Sequence, residues 1–291
     1  MAGSKRQPTG PPPPPTVQRL RVRYAKRGPL RFSSHRDIAR SLERALRRAG
    51  VPMAYSAGFS PHPKVSYVGA APTGVASEAE YLEIGVAARL DTGQVHAALD
   101  DSLPPGLDVL EVVEARAGLG SLPERIDASR WRVRLPGVTP QEAAAAVRAF
   151  LAFDSVEVER RTKDGRRSLD ARAAVVRLEV DAPDAGDPDT PDDDTPGTGD
   201  GAGDTACAIL HLVVRHVTPA VRPDDVLAGL RRAADLEPPV PPAATRLEQG
   251  LLGDDGQVAD PLAPDREAVP SPGAPGREQR DGTVAGSVPA S

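Results

Sequence analysis

Apolar and polar residues alternate from Gln18 to Tyr24, with the period of two that is typical of a strand buried on one face. The apolar side chains share one face, and three arginines share the other. Further along, apolar residues recur from Ile38 to Ala49 at the spacing of a helix that buries one stripe. Ser34, with an aspartate three residues later, predicts the start of this helix, and Gly50 predicts its end.

The remaining elements of the first half complete a β-α-β-β-α-β order. Strand-like patterns lie at residues 53–55, 65–68, 79–90 and 106–115, and a helix is predicted over residues 92–103. This order is the split βαβ arrangement of ferredoxin-like domains.

The second half repeats the same plan. A strand from Arg130 to Leu135 alternates arginine with apolar residues, a helix follows, and three further strands precede a final helix over residues 222–234, with Pro223 in its first turn. We therefore predict an α+β protein made of two tandem ferredoxin-like domains, at residues 17–116 and 130–251. A linker at residues 117–129 is predicted to join them.

Three segments have compositions that predict disorder. Residues 1–16 include five consecutive prolines, residues 181–205 form an aspartate-rich insertion, and residues 252–291 are rich in Pro, Gly, Asp and Ser. None of them contains enough apolar side chains to offset the conformational entropy that is lost on folding. The predicted folded part is therefore residues 17–180 and 206–251.

Charge is distributed unevenly along the chain. The formal net charge is -5, but residues 17–64 carry twelve Lys/Arg against two acids, a local net charge of +10. The insertion carries nine aspartates and no basic residue. A concentrated basic segment is typical of a surface that binds a polyanion. The alternative is that these charges only keep helix and strand faces solvated.

The strand arginines indicate where such a surface would lie. In a two-layer α+β domain, the helices cover one face of the sheet and leave the other open. Arg19, Arg21 and Arg23 are then expected on an open face, where guanidinium groups bind phosphates through paired hydrogen bonds. Alternatively, these arginines merely keep an exposed sheet soluble.

The segment YSAGFSPHPKVSY, residues 55–67, is a second candidate for function. Two prolines restrict its backbone, so the loop presents Phe59, His62 and Lys64 at little entropic cost. Six of the nine aromatic residues lie within or just after the basic segment. Single-stranded nucleic acid is bound by such a combination, since rings stack on bases and cations hold phosphates. If the loop is instead structural, Phe59 is buried.

These features predict an accessory protein that binds or processes RNA. Its predicted RNA surface consists of basic and aromatic residues of the first half: Arg19, Arg21, Arg23, Lys26, Arg27, Arg31, Arg36, Arg40, Phe59, His62 and Lys64. An alternative is a metal-free endoribonuclease in which His35 and His62 act as general base and acid. His35 is equally explained as a first-turn helix residue. No third metal ligand and no phosphate-binding loop are evident, so the sequence predicts no metal and no cofactor.

A single cysteine, Cys207, excludes a disulfide framework and a multi-cysteine metal cluster within this chain. It lies in the apolar run ACAILHLVV, which favours a buried structural thiol. The N-terminus has no apolar leader, and no apolar run approaches transmembrane length. We therefore expect a cytoplasmic protein with no membrane partner.

Six segments of the chain carry a resemblance to a known family. The most specific are SHRD (34–37), YSAGFSPHPK (55–64) and SEAEYLEI (77–84), with weaker matches in LDARAAVVRLEV (169–180), VRPDDVLAGL (221–230) and TRLEQGLL (245–252). They resemble a bacterial domain family of unknown function that is associated with radical S-adenosylmethionine (radical SAM) proteins.

The resemblance implies a domain that is either fused behind a radical SAM enzyme or stands alone, as in this chain. Radical SAM enzymes hold their cluster with three closely spaced cysteines, so a chain with one cysteine is not itself such an enzyme. Family members tend to be encoded near an E/G-type ribonuclease and ribosomal proteins, which implies RNA, ribosome- or ribonuclease-associated, as the partner. The alternative is a protein-interaction module that docks on, or presents a substrate to, a separate radical SAM enzyme.

Overall fold

The computed structural model describes residues 13–57, 59–162, 165–181 and 206–266. Within them the chain forms an eight-stranded sheet, a two-stranded ribbon and five α-helices. The strands are β1 (Gln18–Lys26), β2 (Val65–Val68), β3 (Ala76–Val86), β4 (Leu107–Glu114), β5 (Ala128–Pro136), β6 (Glu157–Thr162), β7 (Gly165–Asp170), β8 (Val175–Val180), β9 (Cys207–Arg215) and β10 (Ala243–Gly250). The helices are α1 (His35–Arg48), α2 (Thr92–Asp100), α3 (Pro140–Leu151), α4 (Pro223–Ala234) and the short α5 (Ala263–Arg266).

The order of strands in the sheet is β4-β1-β3-β10-β5-β9-β8, and β2 pairs with the C-terminal part of β3. Every pairing within one half is antiparallel. The two halves meet where β10 runs parallel to β3, with Thr245 opposite Ala76 and Arg246 opposite Ser77. Strands β6 and β7 pair only with each other and form the separate ribbon.

The predicted α+β class is confirmed, in the form of a large mixed sheet with few helices. The finer prediction of two tandem ferredoxin-like domains stays a prediction, and a single sheet runs through both halves. The predicted disordered residues 1–12, 182–205 and 267–291 lie outside the described residues.

The core of the first half follows the predicted pattern. Leu20, Val22 and Tyr24 of β1 are buried against α1, which contributes Ile38 and Leu42. Burial of each large apolar side chain stabilises the fold by about 1.5–3 kcal/mol. Helix α1 is capped as predicted, since its N-cap serine accepts a hydrogen bond of 3.3 Å from the backbone N–H of residue 37.

The core of the second half is built in the same way. Trp131, Val133 and Leu135 of β5 are buried together with Phe150 of α3 and Leu230 of α4. Helix α3 begins with a capping box, in which the side chains at its N-cap and third position satisfy each other's backbone N–H groups. The arginines of β5 alternate onto the opposite face of the strand.

Residues 252–266, which the composition predicts to be disordered, are packed against the sheet. Leu262 is fully buried beside Tyr81 of β3, and Val258 is buried beside Val213 of β9. The predicted linker also contributes buried side chains, Leu122 among them. Together these two segments cover part of the sheet face opposite the helices, so this face is not open as predicted.

Among the described residues, no helix has the length and apolar composition needed to cross a membrane.

Candidate functional site

Arg21, which was predicted to lie on an open sheet face, is buried. Its side chain is 3% exposed, and its guanidinium contacts two carboxylates: Nη1 lies 2.6 Å from Oδ2 of Asp265, and Nε lies 3.1 Å from Oε2 of Glu83. Nη2 donates to the carbonyl oxygen of Gly120. Because the linker and the C-terminal segment both pack over this arginine, it is a structural charge and does not belong to a phosphate-binding surface.

Three further cations of the predicted surface are bonded within the protein. Lys26 is buried and donates to the carbonyl oxygen of Pro72 at 3.0 Å, and its burial lowers the pKa of the ammonium group. Arg23 donates to the backbone carbonyl oxygen of Glu78 at 2.8 Å, and Arg27 pairs with the side chain of the same residue. Arg23 and Arg27 thus connect β1 and the residue that follows it to Glu78 of β3, and Lys26 connects β1 to the loop before β3.

Arg19 and Lys64 are exposed, and both line a small pocket on the sheet face opposite the helices. Arg19 lies 3.4 Å from Glu83, and Lys64 donates to the Thr16 hydroxyl at 2.9 Å. A groove of about 1200 Å³ runs from Arg19 toward Asp265, and a smaller pocket of about 250 Å³ connects Arg19 with Lys64. The structure therefore separates these two cations from those of α1.

The most continuous basic surface lies on α1. Arg36 and Arg40 are exposed, as predicted, and the exposed Arg44 and Arg47 follow on the same side of the helix. We call these four residues the basic face of α1. Arg44 and Arg47 were not among the predicted residues, although their spacing of four and three residues after Arg40 is visible in the sequence.

Exposed aromatic rings flank α1 in the sequence, with Phe32 before the helix and Phe59 after it. Phe59 is 72% exposed, which agrees with the predicted stacking role and contradicts the structural alternative. Phe32, just before α1, is 62% exposed, and the guanidinium of Arg31 lies over its ring at 4.8 Å. The loop that carries Phe59 is closed by two hydrogen bonds between Ser56 and His62, at 2.8 and 3.0 Å.

His35 and His62 form no direct contact with each other among the described residues. The His35 ring packs edge-on against Tyr67 of β2, with 5.1 Å between the ring centres. The backbone N–H of His62 donates to Ser56 Oγ at 3.0 Å in the loop before β2. The roles of His35 and His62 as general base and acid stay a prediction. Within the described residues there is also no group of three or more His, Cys, Asp or Glu placed to hold a metal.

One serine–histidine contact was not anticipated. Ser129 Oγ lies 2.8 Å from Nε2 of His216, and burial lowers the pKa of the His216 ring. A serine nucleophile must reach its substrate, yet Ser129 is only 1% exposed. This contact is therefore best explained as a structural hydrogen bond.

Two of the segments that carry the family resemblance meet where the halves join. Ser77 and Glu80 of β3 contact Arg246 of β10, and Gln249 of β10 donates to the backbone carbonyl oxygen of Ala79. We call Ser77, Glu80, Arg246 and Gln249 the junction cluster. Arg246 forms an ion pair with Glu80, and its Nε lies 3.3 Å from Ser77 Oγ. All four side chains belong to buried residues, and the guanidinium lies 5.5 Å from the ring centre of Trp131. The cluster links the two halves of the sheet.

Comparison with known families places the chain in one of them. Residues 19–223 match the model of a family described as an uncharacterized protein conserved in bacteria (DUF2344). The chain belongs to the DUF2344 family. This match runs from β1 into the start of α4, so it includes strands of both halves of the sheet but not β10. A search of the curated proteins finds no match to the chain.

Proposed function

We propose that this DUF2344 protein binds single-stranded RNA through the basic face of α1 and the exposed aromatic residues that flank this helix in the sequence. The observation that carries the proposal is the row of four exposed arginines on α1, together with Phe32 before the helix and Phe59 after it, whose side chains are 62% and 72% exposed. The role of the protein would be that of a cytoplasmic accessory protein in RNA binding or processing.

The physical basis of the proposal is the exposure of both kinds of group. From Arg36 to Arg47 the basic face extends for about 16 Å along the helix axis, at 1.5 Å per residue. Arginine forks hold phosphate oxygens, and aromatic rings stack on bases without selecting a sequence. Asp37 and Glu43 are the acids on α1, so the helix surface has a positive net charge.

The finer interpretation of the fold belongs to the same proposal. We propose that each half is a ferredoxin-like unit, with β4-β1-β3-β2 as the order in the first and β10-β5-β9-β8 in the second. In this interpretation the ribbon is an insertion between α3 and β8. The helices α1 and α2 pack on one face of the first unit. This arrangement directs the basic face of α1 to solvent on the side away from the sheet.

Simultaneous replacement of Arg36, Arg40 and Arg44 by alanine is expected to weaken RNA binding and to reduce the dependence of the affinity on salt concentration. On single strands each phosphate contact contributes about 0.7 to the slope of log K against log salt, so the loss of three contacts should reduce the slope by about 2. Filter binding with a single-stranded RNA over a range of salt concentrations measures this change.

The matched control replaces Arg134, Arg215 and Arg232, three exposed arginines of the second half, and it should leave the slope nearly unchanged. A wild-type protein without RNA affinity at low salt would end the RNA proposal. If an iron–sulfur enzyme were then recovered with the protein from native cells, the radical SAM docking alternative would take its place.

Phe59→Ala is expected to cost about 1–3 kcal/mol of RNA affinity, the usual value of one base–aromatic stack. The free energy of unfolding should change little, because the ring is 72% exposed. Fluorescence anisotropy for binding and urea unfolding for stability test both parts. Phe153→Ala is the control, since this phenylalanine of the second half is also exposed, and its affinity should match that of the wild type. Equal losses in the two variants would contradict a stacking role.

A further inference from the structure

The ribbon of β6 and β7 places arginines directly opposite arginines. Its register pairs Arg160 with Arg167 and, on the next rung, Arg161 with Arg166. Like charges opposite each other in an antiparallel pair destabilise it. Four cations on two adjacent rungs therefore require neutralisation from elsewhere.

Two of these four arginines are neutralised within the protein. Arg160 forms an ion pair with the buried Asp225 of α4, with 2.9 Å between Nε and Oδ1, and also donates to the carbonyl oxygen of Ala220. Arg166 pairs with Glu159 at 3.1 Å in an exposed contact. Arg161 and Arg167 are exposed and have neither a hydrogen-bond partner nor an ion pair for their side chains among the described residues.

The base of the ribbon is fixed to the protein while its other end is exposed. Val158 and Leu169 face each other across the ribbon and are both buried in the core of the second half. The ion pair of Arg160 with Asp225 adds a second attachment, to α4. Because side chains alternate between faces along a strand, Arg161 and Arg167 lie on opposite faces of the ribbon. Among its described residues, the firmly held ribbon thus presents one cation without a side-chain partner on each face.

We infer that the exposed end of this ribbon binds the phosphate backbone of RNA. The inference rests on the proposed function for the identity of the ligand, and it adds a second contact, in the half of the protein that does not contain α1. Each unpaired guanidinium offers a planar fork of N–H donors that fits a phosphate. A bound phosphate would also supply the negative charge that the two arginine rungs lack.

The test is the double variant Arg161→Ala and Arg167→Ala, measured by fluorescence anisotropy with single-stranded RNA of about 40 nucleotides, longer than the roughly 4–16 nucleotides of one small binding site. We expect the slope of log K against log salt to fall by about 1.4, which corresponds to two phosphate contacts. The melting temperature should not fall, since the change removes like-charge repulsion. A lowered melting temperature with an unchanged slope would identify a structural role instead.

Two comparisons separate this inference from the proposed function. The control Arg215→Ala with Arg232→Ala removes the same charge from exposed positions of β9 and α4 and should leave the slope unchanged. If the ribbon variant behaves like this control while the α1 variant loses binding, the ribbon inference alone is wrong. If the wild-type protein binds no RNA, both fail together. The variant Arg161→Lys with Arg167→Lys should retain most of the salt slope, because the charges remain.

Discussion

Replacing Asp265 with asparagine is expected to lower the free energy of unfolding by about 3–5 kcal/mol, as for other buried ion pairs that lose one partner. Its Oδ2 accepts hydrogen bonds from Nη1 of Arg21 at 2.6 Å and from Nη1 of Arg125 at 2.7 Å. Oδ1 accepts one from the backbone N–H of Arg116 at 3.1 Å. The Asp265 side chain is 0% exposed, so water cannot replace the lost charge. Urea unfolding measures the loss.

The effect of this substitution should depend on pH. Burial opposes ionisation of Asp265, but the hydrogen bonds from Arg116, Arg125 and Arg21 outweigh it and hold the pKa of the carboxyl below its ordinary value. A lowered pKa in the folded state gives stability that is present above the unfolded pKa of about 4 and is lost as the pH falls through the folded value. The wild-type and asparagine proteins should therefore become more similar in acid.

Glu159→Gln is the matched control for Asp265. Its ion pair with Arg166 is exposed on both sides, and exposed pairs contribute about 0–1 kcal/mol. A loss at Asp265 as small as the loss at Glu159 would show that the C-terminal segment is not held by the buried charges.

Replacing Arg246 with methionine is expected to destabilise the fold by about 3–5 kcal/mol, because it leaves the Glu80 carboxylate buried without its cation. Within the part of the chain that the structure describes, the hydrogen bond that remains to Glu80 is the one from the backbone N–H of Ala71, at 3.1 Å. The Arg246 and Glu80 side chains are 5% and 4% exposed. Methionine preserves much of the packing against Trp131, so lost charge rather than lost volume should dominate the result.

The double variant Glu80→Met with Arg246→Met distinguishes the interaction between the two residues from the separate contribution of each residue to stability. Replacing both members of a buried ion pair with apolar residues is often close to neutral. A double-mutant cycle with urea unfolding should therefore give a double variant that is clearly more stable than the sum of the two single losses predicts. Additive losses would indicate that the two residues act independently.

Elements with a local signal were predictable from the sequence. Strands β1 and β5 show a clear alternation, and α1 and α3 carry capping residues together with an apolar stripe. The exposure of Phe59 followed from its position among small residues and prolines in a loop. In each case the information lies within a few neighbouring residues, because hydrophobic periodicity and helix capping are both local properties of the sequence.

Elements that depend on distant partners were missed. Strand β10 has the polar sequence AATRLEQG, and its Arg246 is buried because it pairs with Glu80, which is 166 residues away. The C-terminal segment is ordered by a few anchors, including Asp265, which lies 244 residues from Arg21. Nothing in β1 itself distinguishes the buried Arg21 from the exposed Arg19. The predicted basic surface therefore combined strand arginines, of which Arg21 is buried, with Arg36 and Arg40 of α1, which are exposed.

The parallel pairing of β10 with β3 sets the order in which the protein can be completed during synthesis. Glu80 leaves the ribosome long before Arg246, and Arg21 leaves it long before Asp265. A nascent chain that has not reached residue 243 therefore contains an unpaired carboxylate and an uncovered guanidinium within its first half. Closing contacts over such long separations is slow, and unpaired strand edges favour wrong association in the meantime. The final sheet thus forms late, when the last strand is released and joins the middle of a structure begun much earlier.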